Sequence, residues 1–304
     1  MTLQPITENT LFYGDNLDIL DQYIADNSVD LVYLDPPFNS NRNYNVLFKD
    51  ESGQDSEAQI TAFEDTWHWN YIAEQTYNDL VTNATPQVSK LIEALRSAIG
   101  TNQMTAYLVM MAARLVELHR VLKPTGSLYL HCDMTASHYL KIILDTIFTP
   151  EKFRNEIIWK RTSARSDSHK WNHIHDVILF YTKTDSYTWN TQYTAYDQEY
   201  IDSFYKNVEP ETGRRYASDN LTASGTRDGS SGDTWRGINV RAKGIHWKYT
   251  IETLEQLDKE GRIIWPKKEG GVPRYKRYLD EMPGVAIQSI ITNIPRYQHF
   301  QQKN

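Results

Sequence analysis

The sequence predicts an α/β fold organised on a mostly parallel sheet. Three observations carry that prediction. Strand-like and helix-like segments alternate through the first half of the chain. Val29 to Leu34 (VDLVYL) is an almost continuous apolar run, as expected of a buried parallel strand. The run stops abruptly at Asp35-Pro36-Pro37. Strand, helix and strand in succession imply right-handed crossovers and a layered core.

The elements follow in order. Thr10 to Tyr13 reads as a short strand ending at Gly14. Leu17, Leu20 and Ile24 then share one helical face, with Asp15 or Asn16 as cap. After the Val29–Leu34 strand, residues 39–70 are polar, interrupted by Gly53, and predict a loop. A helix is expected over 87–99. A stronger one runs from Met104 to Leu122, with Leu108, Met111, Leu115, Leu118 and Leu122 on one side, and Lys123-Pro124-Thr125-Gly126 ends it. Ser127 to His131 is the next strand, and Thr135 opens a helix whose apolar stripe is Tyr139, Ile143 and Ile147. Residues 155–161 (NEIIWKR) and 176–182 (DVILFYT) are two further strands joined by a polar loop.

Beyond Lys183 the character changes. Residues 184–285 are rich in aromatic, basic and turn residues, include the Gly/Ser tract Ala223 to Asp233, and lose regular periodicity. The chain thus divides into residues 1–183, an irregular module over 184–285, and a terminal tail over 286–304.

At 304 residues and 40% hydrophobic, the chain can bury a substantial core in one large domain or two modest ones. Its single cysteine, Cys132, excludes a disulfide framework and a thiolate zinc cluster. The longest apolar run, Ala106 to Ala113, is far shorter than a membrane span, and no basic-then-apolar leader opens the chain. These features predict a cytoplasmic protein with no membrane partner. The net charge of −7 hides an asymmetry. Residues 1–150 carry 8 Lys and Arg against 19 Asp and Glu, whereas residues 151–304 carry 24 against 20. A mildly basic second half suits an anionic partner, although ordinary surface scatter gives the same arithmetic.

The chemistry concentrates at Asp35-Pro36-Pro37-Phe38. Open parallel sheets bind ligands at the carboxyl ends of their strands, where this tetrapeptide lies. Pro36 precedes a second proline, so its backbone is held extended. Neither proline has an N–H, so the corner offers acceptors: the Asp35 carboxylate and a fixed carbonyl. Two acceptors side by side suit an amino group with two hydrogens, and Phe38 adds a flat surface for an aromatic ring. The corner therefore predicts a pocket for an exocyclic amine on a heterocycle. Asp15 fits a helix cap as well as a ligand contact at the same edge, and Asp133 is read as a cap. His169, His173 and His175 lack the accompanying ligands of a metal site and are read as part of a polar loop.

These residues stand within segments that resemble the amino-group DNA methyltransferases, specifically the adenine-N6 enzymes whose catalytic motif precedes the cofactor motif. The resemblance spans most of the chain. It includes LFYGDNLDIL at 11–20, LVYLDPPFNSNRNYN at 31–45, FEDTWHW at 63–69 and HRVLKPTGSLYLHCD at 119–133. NEIIWKR and DVILFYTK follow, then YASDNLTASGTRDGSSGDTWRGINV at 216–240 and GRIIWPKKEGGVPRYKRYLDEMPGV at 261–285.

The resemblance implies a site-specific enzyme of DNA modification, of the restriction-modification type, acting on double-stranded DNA. The target adenine is flipped out of the duplex. The Asp35 carboxylate and the Pro36 carbonyl accept its amino hydrogens, Pro37 holds the corner and Phe38 stacks on the base. S-adenosyl-L-methionine is the implied methyl donor, with Asp15 near it, and no metal is required. Residues 184–285 resemble a target-recognition region. Phosphate contacts are expected from Lys160, Arg161, Arg165, Arg227, Arg236, Lys267 and Lys268.

One feature of the family is not met. Its glycine-rich donor turn, Asp-Pro-Phe-x-Gly-x-Gly, follows the recognition region, and no such motif appears after Gly284. The implied fold is thus a methyltransferase-like, Rossmann-like sheet lacking its cofactor-motif strands. A C-terminally truncated or split enzyme is expected, with the Thr10–Tyr13 strand separated from the Val29–Leu34 strand or pairing with it unnaturally. The motif would come from a second chain, and a restriction subunit is another expected partner. Taken alone, the 304-residue chain is expected neither to bind the donor nor to methylate DNA. Three readings follow: an adenine-N6 methyltransferase, a cytosine-N4 methyltransferase using the same acceptor logic, and a non-catalytic DNA-binding remnant. Asp35, where cytosine enzymes of this kind commonly carry serine, favours adenine.

Overall fold

The computed structural model describes residues 3–37, 67–162, 169, 171–268 and 270–292. Phe38, Arg165 and most of the predicted 39–70 loop lie outside these residues. The chain forms two compact units. One runs to Asn190 and resumes at Gln288; the other is Thr191–Ile287.

In the first unit, helix α1 (Asn16–Tyr23) leads to strand β1 (Val29–Leu34). Three helices follow: α2 (Tyr71–Asn83), α3 (Pro86–Ile99) and α4 (Gln103–Val121). Then come β2 (Leu122–Cys132), α5 (Ser137–Phe148), β3 (Phe153–Lys160) and β4 (His175–Thr182). α2 went unread because its apolar positions are weakly spaced; its sequence YIAEQTYNDLVTN buries Leu80 alone. Asn70 and Asn102 cap α2 and α4 through their side-chain oxygens, at 3.0 Å to the Ala73 amide and 3.1 Å to the Thr105 amide.

The sheet has five strands in the order β1-β2-β4-β3, then a short strand at Ile290–Ile291. β1 runs parallel to β2, and the short strand runs parallel to β3. β4 runs against both its neighbours. The sheet is therefore mixed: four strands share one direction and the fifth opposes them. The reversal follows from the β3–β4 connection, which opens and closes on bonded neighbours. The Arg161 amide donates to the Ile174 carbonyl at 2.8 Å, as in a hairpin, so no crossover returns the chain to a parallel course.

β2 starts at once where α4 stops, earlier than the predicted Ser127. The Lys123–Gly126 segment is absorbed as an irregularity, with Leu122 opposite Val29 and Ser127 opposite Leu31. Gly126 makes this possible, because a Cβ there would sit 2.8 Å from Leu122 Cδ2 and 2.9 Å from the Lys123 carbonyl oxygen.

Helices α2–α5 contribute to one core against the sheet. Val32, Leu128, Leu130, Cys132, Val177, Leu179 and Tyr181 alternate onto the covered face and meet Leu108, Met111, Leu115, Leu140, Ile143, Leu144 and Phe148. In α5 the buried stripe is thus Leu140, Ile143, Leu144 and Phe148, with Tyr139 and Ile147 only half-buried at its margin.

Two expectations are corrected. Thr10–Tyr13 is not a strand; Leu11 is 98% and Tyr13 90% exposed. A strand needs a bonded edge beside it, and among the described residues nothing pairs with the outer edge of β1. β1 is also not buried on both faces. Val32 is buried, whereas Leu31 and Tyr33 are exposed on the face turned away from the helices.

The second unit, read as irregular, does contain regular structure in short pieces. Its elements are β5 (Tyr193–Thr194), α6 (Gln198–Phe204), β6 (Asn207–Val208), β7 (Arg215–Asn220), β8 (Thr222–Ser224), β9 (Ile245–Trp247), α7 (Ile251–Lys259), β10 (Ile263–Ile264), β11 (Arg274–Tyr278) and β12 (Val285–Ala286). A four-stranded sheet runs β10-β11-β7-β6. A separate small core gathers Leu221, Trp235, Ile238, Val240, Trp247, Leu254 and Ile263. Strands of two to six residues are too short to reveal a period in sequence.

Candidate active site

Asp35 stands at the carboxyl end of β1, and its side chain is 64% exposed. The β1–β2 register places Tyr33 beside Tyr129 and Leu34 beside Leu130. One step further brings Asp35 level with His131, whose Nδ1 lies 2.8 Å from Asp35 Oδ1. On the other side of the ring, Nε2 lies 3.2 Å from Asp176 Oδ2 at the start of β4. Asp176 is buried, 1% exposed, and Arg161 Nη1 reaches the same Oδ2 at 2.9 Å. Asp35, His131, Asp176 and Arg161 thus form a row across β1, β2, β4 and the end of β3, following the strand order. Trp159 of β3 packs its ring 5.7 Å from that of His131.

The row follows from strand alternation. Tyr33 and Asp35, Tyr129 and His131, and Phe180, Ile178 and Asp176 occupy alternate positions and share the face opposite the helices. Beside the row, Tyr129 stacks on Phe180 with centroids 4.4 Å apart, and Tyr33 stands exposed next to them. Partial desolvation by its neighbours, with a smaller contribution from the Asp35 charge, pushes the Tyr33 hydroxyl above its ordinary range. Pro36 and Pro37 are half-buried. Phe38 lies outside the described residues.

Burial pulls against a charge on His131, but its hydrogen bonds to Asp176 and Asp35 prevail and hold the ring above the ordinary histidine range. The neighbouring Cys132 thiol is pushed up to about 12 by burial, so it is inert as a nucleophile.

Asp15 is a helix cap: its Oδ1 accepts from the Leu17 amide at 2.8 Å. Arg114 Nη2 meets both its oxygens at 2.7 and 2.9 Å. Arg114 lies about 9 Å further up α4 than Arg120, whose carbonyl accepts from Asn27 just before β1. Asp15 is therefore displaced toward the sheet end where Asp35 emerges. Asp133 also caps, accepting from the Thr135 amide at 2.9 Å. A methyl donor bound beside β1 would need more than these groups. Both Asp15 oxygens are engaged, and among the described residues no strand lies along β1's outer edge. The described residues do not by themselves build a donor pocket.

The basic residues separate into two kinds. Lys160, Arg227, Lys267 and Lys268 are exposed. Arg161 instead turns inward onto Asp176. Arg236 is clamped by Glu255 at 2.6 Å and Asp258 at 3.2 Å. Both are expected from the sequence to meet phosphates, and both are engaged by carboxylates of the same chain. Arg165 lies outside the described residues. Sequence reasoning missed His131 and Asp176. The available signal was a charged or polar residue at an alternating position in SLYLHC and at the head of DVILFYT.

The site thus combines a carboxylate at a strand end, two prolines after it and a sheet face of aromatic and charged side chains. A family model described as DNA methylase, the N6/N4 methyltransferase family, matches residues 29–291. The chain belongs to that family. It is 28% identical over 278 residues to the type II methyltransferase M.EcaI of Enterobacter cloacae, covering 91% of this chain and 50% of that protein. It is 25% identical over 296 residues to the Mod subunit of the type III restriction-modification enzyme StyLTI of Salmonella typhimurium, covering 95% and 41%. The EcoP15I Mod subunit of Escherichia coli matches at 21% over 179 residues, covering 58% and 24%. The chain spans half or less of the length of these relatives. Among the described residues, no helix is long and apolar enough to cross a membrane.

Proposed function

We propose that this chain carries the acceptor side of an adenine-N6 DNA methyltransferase of a restriction-modification system. The observation that carries the proposal is the exposed Asp35 carboxylate at the carboxyl end of β1, held by His131 and followed by two prolines. In this account the flipped adenine presents its amino group to the Asp35 carboxylate and the Pro36 carbonyl. Accepting both hydrogens turns the nitrogen lone pair out of the ring. Positive charge would then grow on that nitrogen as its bond to the methyl carbon forms and the donor's sulfur–methyl bond breaks, with the electron pair left on sulfur, and the fixed acceptors would stabilise it. One amino hydrogen leaves afterwards as a proton, restoring a neutral amine. S-adenosyl-L-methionine is the proposed donor and supplies an electrophilic methyl group when bound.

Family membership supports DNA as the substrate, and two relatives named as Mod subunits support a modification role beside a partner subunit. Exposed Lys160, Arg227, Lys267 and Lys268 are the proposed phosphate contacts. The division into residues 1–183 as catalytic part and 184–285 as recognition region belongs to the same proposal, with Ile290–Ile291 of the expected 286–304 tail joining the catalytic sheet.

Nucleoside analysis of DNA treated with the enzyme and labelled donor tests the target base. N6-methyladenine is the expected product. N4-methylcytosine would assign the corner to the other amino base.

A further inference from the structure

The row behind Asp35 is more than a convenient support. A neutral imidazole has one N–H, so it donates to one acceptor and turns a lone pair toward the other. Here both ring nitrogens face carboxylate oxygens, at 2.8 Å and 3.2 Å. Only the doubly protonated ring satisfies both. With that charge the row alternates in sign, from Asp35 through His131 and Asp176 to Arg161. Without it, two carboxylates share one cation beside a side chain only 8% exposed.

We infer that His131 is a positioning residue for methyl transfer, a buried imidazolium that aims the Asp35 carboxylate at the amino group, anchored in turn by Asp176 and Arg161. The inference rests on the proposed acceptor role of Asp35 and adds a residue to it. Asp35 is exposed and ends a strand, so by itself its carboxylate would rotate freely. The ring fixes one oxygen and leaves the other for substrate. Asp35 accepts a hydrogen bond from the amine, and the departing proton goes to solvent. Asp176 from β4 and Trp159 from β3 hold the ring on its other sides, and Arg161 meets Asp176. A displacement of about 1 Å at a reacting group costs on the order of 100-fold in rate, which sets the effect expected when the ring is lost.

The ring's proton affinity is raised in the folded chain. Its contribution to stability and to aiming is present below the unfolded value, about 6.5, and is lost as pH rises through the folded one.

The direct test is ¹⁵N NMR of the ring in the full chain, which needs no donor and no DNA. At pH 7 His131 should carry protons on both nitrogens and titrate above free histidine. Asp35→Asn and Asp176→Asn should each lower that midpoint. A neutral ring at pH 7, or a midpoint indifferent to both substitutions, overturns the inference whatever the enzyme does. The second arm uses labelled-methyl transfer with the donor motif supplied by a second chain. His131→Asn, whose amide cannot change charge, should lower kcat about 100-fold with little change in the KM for DNA. It should also lose the alkaline decline seen in the parent. An unchanged rate and pH profile in His131→Asn, with Asp35→Ala inactive, would remove His131 while leaving the acceptor role of Asp35 intact. An active Asp35→Ala would instead remove the acceptor role. Should His131→Asn unfold, the Asp176→Asn variant carries the same kinetic prediction in weaker form.

Discussion

Both units close cations on their own carboxylates, as Arg114 does on Asp15 and Arg154 on Asp185, but the first also holds a longer row of charged groups. In the first, the row Asp35–His131–Asp176–Arg161 runs from solvent into the sheet, and its outermost member points outward with most of its surface free. In the second, cations close on carboxylates of their own unit. Arg214 meets Asp280 at 2.8 Å, Arg215 meets Asp202 at 2.9 Å, Lys276 meets Glu209 at 2.7 Å and Arg277 meets Asp219 at 3.0 Å. The hydrogen bonds from Lys276, Thr212 and Tyr278 hold the Glu209 carboxyl down at about 2. An alternating row transmits order to one exposed group. Closed pairs neutralise each other and leave little for a partner. Counting basic residues in the second half therefore overstates the charge available to DNA.

Stability separates the two arrangements. Arg161→Ala strips a partner from a carboxylate that is 1% exposed and should cost about 3 kcal/mol in urea unfolding of the whole chain. Arg236→Ala breaks a half-exposed, solvent-screened pair with Glu255 and should move the unfolding midpoint far less. Equal costs would mean that the row is no more buried in solution than the pairs.

DNA affinity sharpens the same contrast. Exposed Lys267 and Lys268 lie on the turn between β10 and β11. Replacing both with alanine should weaken duplex binding and reduce the salt slope by roughly 2 if each meets one phosphate. Arg236→Ala should leave that slope unchanged, because its guanidinium is already occupied. Titrations of duplex across a range of salt would reverse the assignment if Arg236→Ala changed the slope and the lysines did not.

Much of the first unit was legible because its elements are long. The α4 stripe, the VDLVYL run and the SLYLH strand each impose a clear period, and the Asp-Pro-Pro punctuation marks where β1 ends. Strand direction was less legible. β4 opposes its neighbours through a hairpin connection that carries no periodic signal. Thr10–Tyr13 looked like a strand in isolation, but strand formation depends on a neighbouring edge that a local window does not contain. In the site, Asp35 was legible from its motif. His131 was not, because its role arises when alternation on three strands brings distant residues level.

Asp35→Asn is the most direct test of the account. The substitution keeps the shape of the side chain and removes the charge that stabilises the methylated amine. The account predicts that labelled-methyl transfer to DNA, assayed with the donor motif supplied by a second chain, falls by about 10³-fold, while duplex affinity at fixed salt stays that of the parent. Transfer that survives near the parental rate would contradict it.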